Sequence, residues 1–439
     1  MKRLIEKDLL AWKSKPDRKP LIIYGARQVG KTHSMVEFGR DNYESTAYFF
    51  FENNQELQSI FNKGVNDIRI LFGDLERFSG KEIKPQKTLV IFDEIQACPA
   101  AISALKRIQE TANEYHVVCG GSLLGLALVR DARYSFPVGK VDLLNMYPMN
   151  FPEFLLATNG NSTADVNNLI EQVKECFEKD APMPSHWHEL LLQNYRKYLI
   201  VGGMPECVAE YIKTNDWTMV RAKQLSICEI YTNDMVKYCT KTEAMKNIST
   251  YNCVPAQLAR ENTKFQFNLI KSGARSKDFA DSLHWLEKAS IIIKVSKTTQ
   301  GNSPIAIFED FLSFKIYMSD VGLLTAKSGL SPTLILSHDF SSDMKGAVAE
   351  NFVAVELVAN GIRPFYWESE GKAEVDFVYQ RDDKVVPIEV KANTSTKTKS
   401  LDMFVNKYNI EKSIRVSAKP FGYANGIKSI PLYAVWCIR

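Results

Sequence analysis

Apolar residues in the first third of the chain gather in short runs, with amphipathic or polar sequence between them. Residues 21–25, 46–52, 88–93, 117–120 and 142–146 read as buried strands, and helix-capable sequence separates them. Strands alternating with helices predict a mostly parallel α/β sheet that binds ligands at the carboxyl ends of its strands. From residue 151 to about 236 the period turns helical, with polar interruptions at 159–163 and 181–185. Tyr195, Tyr198 and Tyr211 fall in this region and read as core.

The period changes twice more. Residues 276–288 form an amphipathic helix with Phe279, Leu283 and Leu286 on one face, capped by Ser276 or Asp278. An apolar run at 291–295, a turn around 301–304 and a second run at 315–318 follow. After a Ser-rich boundary near 331–343, a helix opens at Gly346 and stops at Gly361, a natural C-terminal residue. Residues 373–379 then alternate like a strand, 381–384 make a polar turn, and 385–391 return.

Composition changes this picture only at the margins. The hydrophobic fraction of 45% is ample for several cores, and no run approaches the length of a membrane span. The first residues lack the apolar core of a secretory signal. Eight cysteines stand without a C-x-x-C pair, which suits reduced thiols in a cytoplasm and argues against a zinc site. The net charge is +4, and residues 241–300 alone carry ten Lys/Arg against five Asp/Glu. That segment either faces nucleic acid or forms a solvated surface.

The chemistry starts at the first strand. Gly25, Ala26, Arg27, Gln28, Val29, Gly30, Lys31 and Thr32 fit G-x-x-x-x-G-K-[ST], entered from an apolar strand and left by a helix that begins with His33. Backbone N–H groups in such a loop turn onto phosphate oxygens, aided by the helix N-terminus. Lys31 reaches the β- and γ-phosphates, and the Thr32 hydroxyl ligates Mg²⁺. The third strand ends in Asp93-Glu94. Asp93 would hold Mg²⁺ through a water, and Glu94 would polarise the water attacking the γ-phosphate. Ser122 follows the next strand and either positions water beside the γ-phosphate or is a plain loop serine.

The order Gly-Ala-Arg-Gln-Val-Gly-Lys-Thr, Ile-Phe-Asp-Glu-Ile-Gln and Gly-Gly-Ser-Leu-Leu-Gly resembles the AAA+ ATPases of a prokaryotic clade. Members are fused to a C-terminal region of uncharacterised function. The segments 146–155 and 201–206 strengthen the likeness. The resemblance implies a helical lid, a winged-helix-like module over the helix–strand–turn–strand stretch, and an arginine finger before the fifth strand. Arg130 and Arg133 are candidates for that finger or are surface residues. Lys140, where relatives often carry arginine, lacks the planar fork the role needs. A winged helix serves either DNA or a protein partner.

The second chemical signature is the late hairpin. Asp376 and Glu389 project near each other, Lys391 shares the face of Glu389, and Glu350 from the helix completes the group. This set resembles the PD-(D/E)xK nuclease superfamily, whose members use such carboxylates to bind Mg²⁺ and cleave phosphodiesters. Related folds also persist as inactive binding modules.

The expected organisation is a P-loop AAA+ domain over 1–155, a helical lid over 156–236, a winged-helix-like domain over 237–330 and a restriction-endonuclease-like α/β domain over 331–439. The expected activity is Mg²⁺-dependent hydrolysis of ATP coupled to a DNA-directed nuclease-like domain. In the alternative, that domain is inactive and binds DNA or a protein. ATP is the expected ligand, with DNA, a homo-oligomer or a protein as further partners, no membrane, and a cytoplasmic location.

Overall fold

The computed structural model describes residues 1–63, 67–122, 136–159, 163–260, 264–369, 373–394 and 398–439. It divides into two compact units, Met1–Tyr147 and Pro148–Arg439. No helix among the described residues is long and apolar enough to cross a membrane, and the eight cysteines are free thiols.

The first unit alternates helices and strands as the pattern predicts: α1 (Ile5–Ser14), β1 (Leu21–Tyr24), α2 (Lys31–Asn42), β2 (Ser45–Phe50), α3 (Gln55–Asn62), α4 (Ile68–Ser79), β3 (Thr88–Asp93), α5 (Pro99–Thr111), β4 (His116–Gly121) and β5 (Asp142–Asn145). All the strands pair in parallel, in the order β2-β3-β4-β1-β5. Central strands of a parallel sheet are covered on both faces, hence their near-continuous apolar runs. β3 and β4 are buried along their whole length. Phe49, Phe51, Phe61 and Phe92 meet edge to face in the core on one side of the sheet.

The second unit opens with helices: α6 (Phe151–Thr158), α7 (Thr163–Lys179), α8 (Ser185–Val201), α9 (Pro205–Thr214), α10 (Trp217–Tyr238), α11 (Lys241–Leu258) and α12 (Ser276–Lys288). Tyr195 and Tyr198 are buried, and Tyr211 stacks on Trp217 with ring centroids 4.9 Å apart. Phe279, Leu283 and Leu286 of α12 are buried, and the Asp278 carboxylate accepts from the Arg275 N–H to cap the helix.

After α12 come β6 (Ile292–Thr298), β7 (Glu309–Met318), α13 (Val321–Lys327), α14 (Pro332–Ser337), α15 (Ser342–Ala359), β8 (Phe365–Ser369), β9 (Ala373–Arg381), β10 (Lys384–Val390), α16 (Lys399–Tyr408), β11 (Ser413–Ser417), β12 (Gly422–Ala424) and β13 (Ile427–Pro431). They build one mixed sheet of eight strands, ordered β12-β13-β11-β10-β9-β8-β6-β7. β6 pairs in parallel with β8, so the hairpin expected to belong to a separate winged module joins the C-terminal sheet. The expected boundary between 330 and 331 thus divides residues that share one sheet. α15 begins at Ser342, before the glycine from which the sequence pattern started it, because Ser341 caps it by accepting from the Met344 N–H. The helix is buried on nearly every side, and Asn351 clamps it to β7, bonding both the N–H (2.7 Å) and the C=O (3.0 Å) of Met318.

Candidate functional site

At the carboxyl end of β1 the chain turns through residues 25–30 into α2. Gly25 has φ 144, and a Cβ there would sit 2.1 Å from the Met146 carbonyl oxygen, so this position admits no side chain. Arg3, which the sequence reading passed over, braces the loop by donating to Val29 O at 2.7 Å and to Tyr147 O at 2.8 Å. Lys31 is buried, and its ammonium donates to the carbonyls of Gly25 (3.0 Å) and Ala26 (2.8 Å). Burial lowers its pKa to about 8, against the opposing pull of Glu94 and Asp93. Arg27 pairs with Glu52 at 3.4 Å, Gln28 has φ 69, and Val29 is buried. His33 lines a groove together with Met1, Glu6 and Glu37.

β3 delivers the acidic pair. The Thr32 hydroxyl donates to Asp93 Oδ2 at 2.7 Å, and the Tyr48 hydroxyl donates to the same oxygen at 2.7 Å. Glu94 has φ 51, a conformation costly for a residue with a side chain and one that clusters at functional sites. Its carboxylate accepts from Gln96 Nε2, and burial raises its pKa. β4 lies between β1 and β3, so Ser122, buried just past its end, emerges at the same sheet edge as the loop and the acidic pair. Arg130 and Arg133 lie outside the described residues. Lys140 is engaged in an ion pair with Glu110 at 2.9 Å. Tyr48 and Gln96 escaped the sequence reading; the outward tyrosine in a strand of alternating burial was the signal for the first.

The second constellation forms where β7, β9, β10 and α15 meet. The β9–β10 register sets Ile388 against Phe377, so Glu389 and Asp376 face each other one step on. Asp376 Oδ2 accepts from the Val390 N–H at 2.7 Å, and Lys391 Nζ lies 2.5 Å from Glu389 Oε1. Glu350 accepts from the Tyr317 hydroxyl at 2.9 Å. The structure adds a lysine that the sequence reading missed. Lys315 of β7 is fully buried, bonds Glu374 and lies 3.5 Å from Glu350.

Burial, then Glu389 and Glu350, push the Asp376 carboxyl well above its usual range. Burial likewise raises Glu389. For Lys315 and Lys391 burial pulls down, but the surrounding acidic groups outweigh it and both ammoniums stay charged. The two ammoniums face the carboxyls of Glu350, Glu374, Asp376 and Glu389, so ionising all four would leave an excess of negative charge. Protons or a cation must offset it. Glu389 Oε2 is buried without a partner, which suits a cation held between Glu389 and Asp376. Among the described residues no group of three or more His, Cys, Asp or Glu is arranged to hold a metal ion, and Glu350 is engaged by Lys315 and Tyr317.

A phosphate-binding loop at the head of a five-stranded parallel sheet, with an acidic pair on the strand two places away, defines a P-loop ATPase fold. Residues 17–155 match the family described as AAA domain. The first unit is therefore an AAA-type, nucleotide-binding ATPase domain. Residues 192–334 and 345–435 match two families each described as a domain of unknown function, DUF8612 and DUF4143. Both contribute strands to the eight-stranded sheet.

Among solved structures, a Walker-type ATPase of Pyrococcus abyssi is similar at 14% identity, covering 74% of this chain and 95% of its own, with a TM-score of 0.41. The Aeropyrum pernix ORC1 protein in complex with DNA is similar at 11% identity, covering 74% and 90%, with a TM-score of 0.29. PCH-2 of C. elegans is similar at 13% identity over 37% of this chain and 46% of its own, with a TM-score of 0.23. No curated protein matches the chain in sequence. The low TM-scores mark loose overlaps; the family match and the geometry of the loop carry the assignment.

Proposed function

We propose that the chain hydrolyses ATP in its first unit and couples turnover to a nuclease-like, DNA-directed second unit. The observation that carries the first half is the convergence of Lys31, Thr32, Asp93 and Glu94 at one sheet edge, with Thr32 and Asp93 in direct contact. The loop N–H groups and Lys31 bind the triphosphate. Thr32 and Asp93, an adjacent hydroxyl and carboxylate, fit Mg²⁺, which when bound offsets charge on the β- and γ-phosphates. Glu94 orients a water and accepts its proton as the water oxygen bonds the γ-phosphorus and the bond to the bridging oxygen breaks. Its raised pKa brings it nearer the operating range of a general base.

In the second unit Asp376, Glu389 and Lys391 are the candidates for phosphodiester hydrolysis, with Glu350 in support. Asp376 and Glu389 would hold the divalent cation such chemistry uses. The lid over 156–236 and the winged-helix role of α12, β6 and β7 belong to the same reading. The basic excess of residues 241–300 supports DNA as the partner.

A second reading has this unit bind DNA or a protein without cleaving. Lys315 favours it, because its ammonium engages Glu350 and Glu374 where a cation would otherwise be needed. Phosphate release with and without duplex DNA, for wild type and Glu94→Gln, tests the first half. The variant is expected to fall by about 10²-fold or more; a variant as fast as wild type refutes the base assignment. Cleavage of DNA and RNA in Mg²⁺ or Mn²⁺, wild type against Asp376→Ala, decides between the two readings. Equal background in both removes the nuclease.

A further inference from the structure

A cavity of about 270 Å³ lies within the second unit, near the lower end of the size range of small-molecule sites, about 300 Å³. Tyr195 and Leu199 of α8, Ile335 of α14 and Val348 of α15 give it buried, apolar walls. Arg196, His338 and Lys345 also line it, each half-buried, and the lining contains no Asp or Glu.

Among the described residues the basic groups have no acidic counterpart. Arg196 makes a weak bond to Leu336 O at 3.4 Å, and the Lys345 ammonium lies 5.5 Å from the Phe340 ring centre. Neither pairs with a carboxylate among the described residues. His338 feels both: burial lowers its pKa first, and the like charges of Lys345 and Arg196 lower it further. Two uncompensated cations beside a neutral imidazole, over apolar walls, create a positive potential in the recess. An anion relieves that repulsion, and a purely polar one leaves the walls unused.

We propose that this cavity binds a small amphipathic anion, its phosphate or carboxylate head held by Arg196 and Lys345 and its apolar body seated against Tyr195, Leu199, Ile335 and Val348. The guanidinium fork suits a two-oxygen head. Ala349 and Ala392 also line the cavity and are the chain neighbours of Glu350 and Lys391. A ligand here therefore bears on both backbone segments that carry the carboxylate cluster, whether or not that cluster cleaves anything.

The test is calorimetric titration of the full-length protein, with saturating ADP filling the P-loop, by phenyl phosphate and by octanoate. At least one is expected to bind with a dissociation constant below about 1 mM, which identifies the head group. Arg196→Gln with Lys345→Gln should weaken that binding by about tenfold or more. Ala349→Leu, which fills the cavity without touching charge, should weaken it as much, with thermal melts confirming the fold of each. Binding unchanged in both variants, or neither probe bound at about 10 mM, overturns the proposal. Inorganic phosphate competing as well as phenyl phosphate would overturn the apolar half.

Discussion

The Thr32 hydroxyl donates to Asp93 Oδ2 at 2.7 Å, joining the first turn of α2 to the end of β3 across 61 residues of chain. Tyr48 donates to the same oxygen from β2. Thr32→Val and Asp93→Asn are each expected to lower steady-state phosphate release by about 10²-fold or more. Tyr48→Phe removes a bond to that carboxylate but neither member of the pair, and should cost less than about tenfold. Equal losses in all three would show that orientation of Asp93, not the pair itself, carries the effect.

The role proposed for Lys31 beside the phosphates predicts a pH dependence of nucleotide affinity with a definite sign. Free, its ammonium titrates at about 8 because burial disfavours the charge. Phosphates bound beside it would raise that value, so binding should be strongest below about pH 8 and weaken as pH rises through it. Titrations of a non-hydrolysable ATP analogue between about pH 7 and 9.5 should show affinity falling by up to about tenfold per pH unit above 8. Lys31→Met should bind weakly and without that slope.

Lys315 is the internal counterion of Glu350 and Glu374. Lys315→Met leaves the acidic groups facing one another and should destabilise the protein in chelator by about 3–5 kcal/mol. Mn²⁺ or Mg²⁺ should restore much of that stability and bind more tightly than to wild type, by about tenfold or more. Chemical denaturation with and without the cation reads both. A variant indifferent to cations would show that the cluster is satisfied by protons alone.

Glu356 is fully buried on α15, one carboxylate oxygen accepting from the Phe151 N–H at 2.9 Å and the other without a partner. Burial raises its pKa to about 8. In the unfolded chain the carboxyl ionises near 4.5, so between these values the folded state holds the extra proton. Its contribution is therefore present at low pH and lost as pH rises towards 8. Glu356→Gln keeps the acceptor and never ionises. Its stability relative to wild type should rise between about pH 5 and 8 by a few kcal/mol, measured by urea unfolding. A constant difference across that range would refute the buried acid.

Gly203 joins two of the segments that carry the family likeness. Its carbonyl accepts from the Met149 N–H at 2.6 Å, and its own N–H donates to Asp320 Oδ2 at 2.6 Å. A Cβ there would meet Met149 O at 2.0 Å and Met149 N at 2.8 Å, all backbone. Gly203→Ala should cost about 3 kcal/mol or more in unfolding free energy, far beyond Gly346→Ala, where a Cβ meets nothing within 4 Å. Comparable melting temperatures for the two would contradict the close approach.

The sequence by itself determined what local interactions determine. Period and turn chemistry gave the five strands of the first unit to within two residues at each end, and the loop from Gly25 to Thr32 with its acidic companions was legible because short-range spacing encodes it. The Asp376–Glu389 pairing was legible too, since a tight hairpin fixes register within a few residues. Tertiary structure decided the rest. Only strand order places Ser122 between the loop and Asp93, and only β6–β8 pairing merges the hairpin at 292–318 with the C-terminal sheet. Lys315 reads in sequence as one more basic strand residue, yet it is buried and bonds Glu374, 59 residues away. Non-local pairing leaves no periodic trace, and a charge becomes a buried counterion only once folding brings its partners around it.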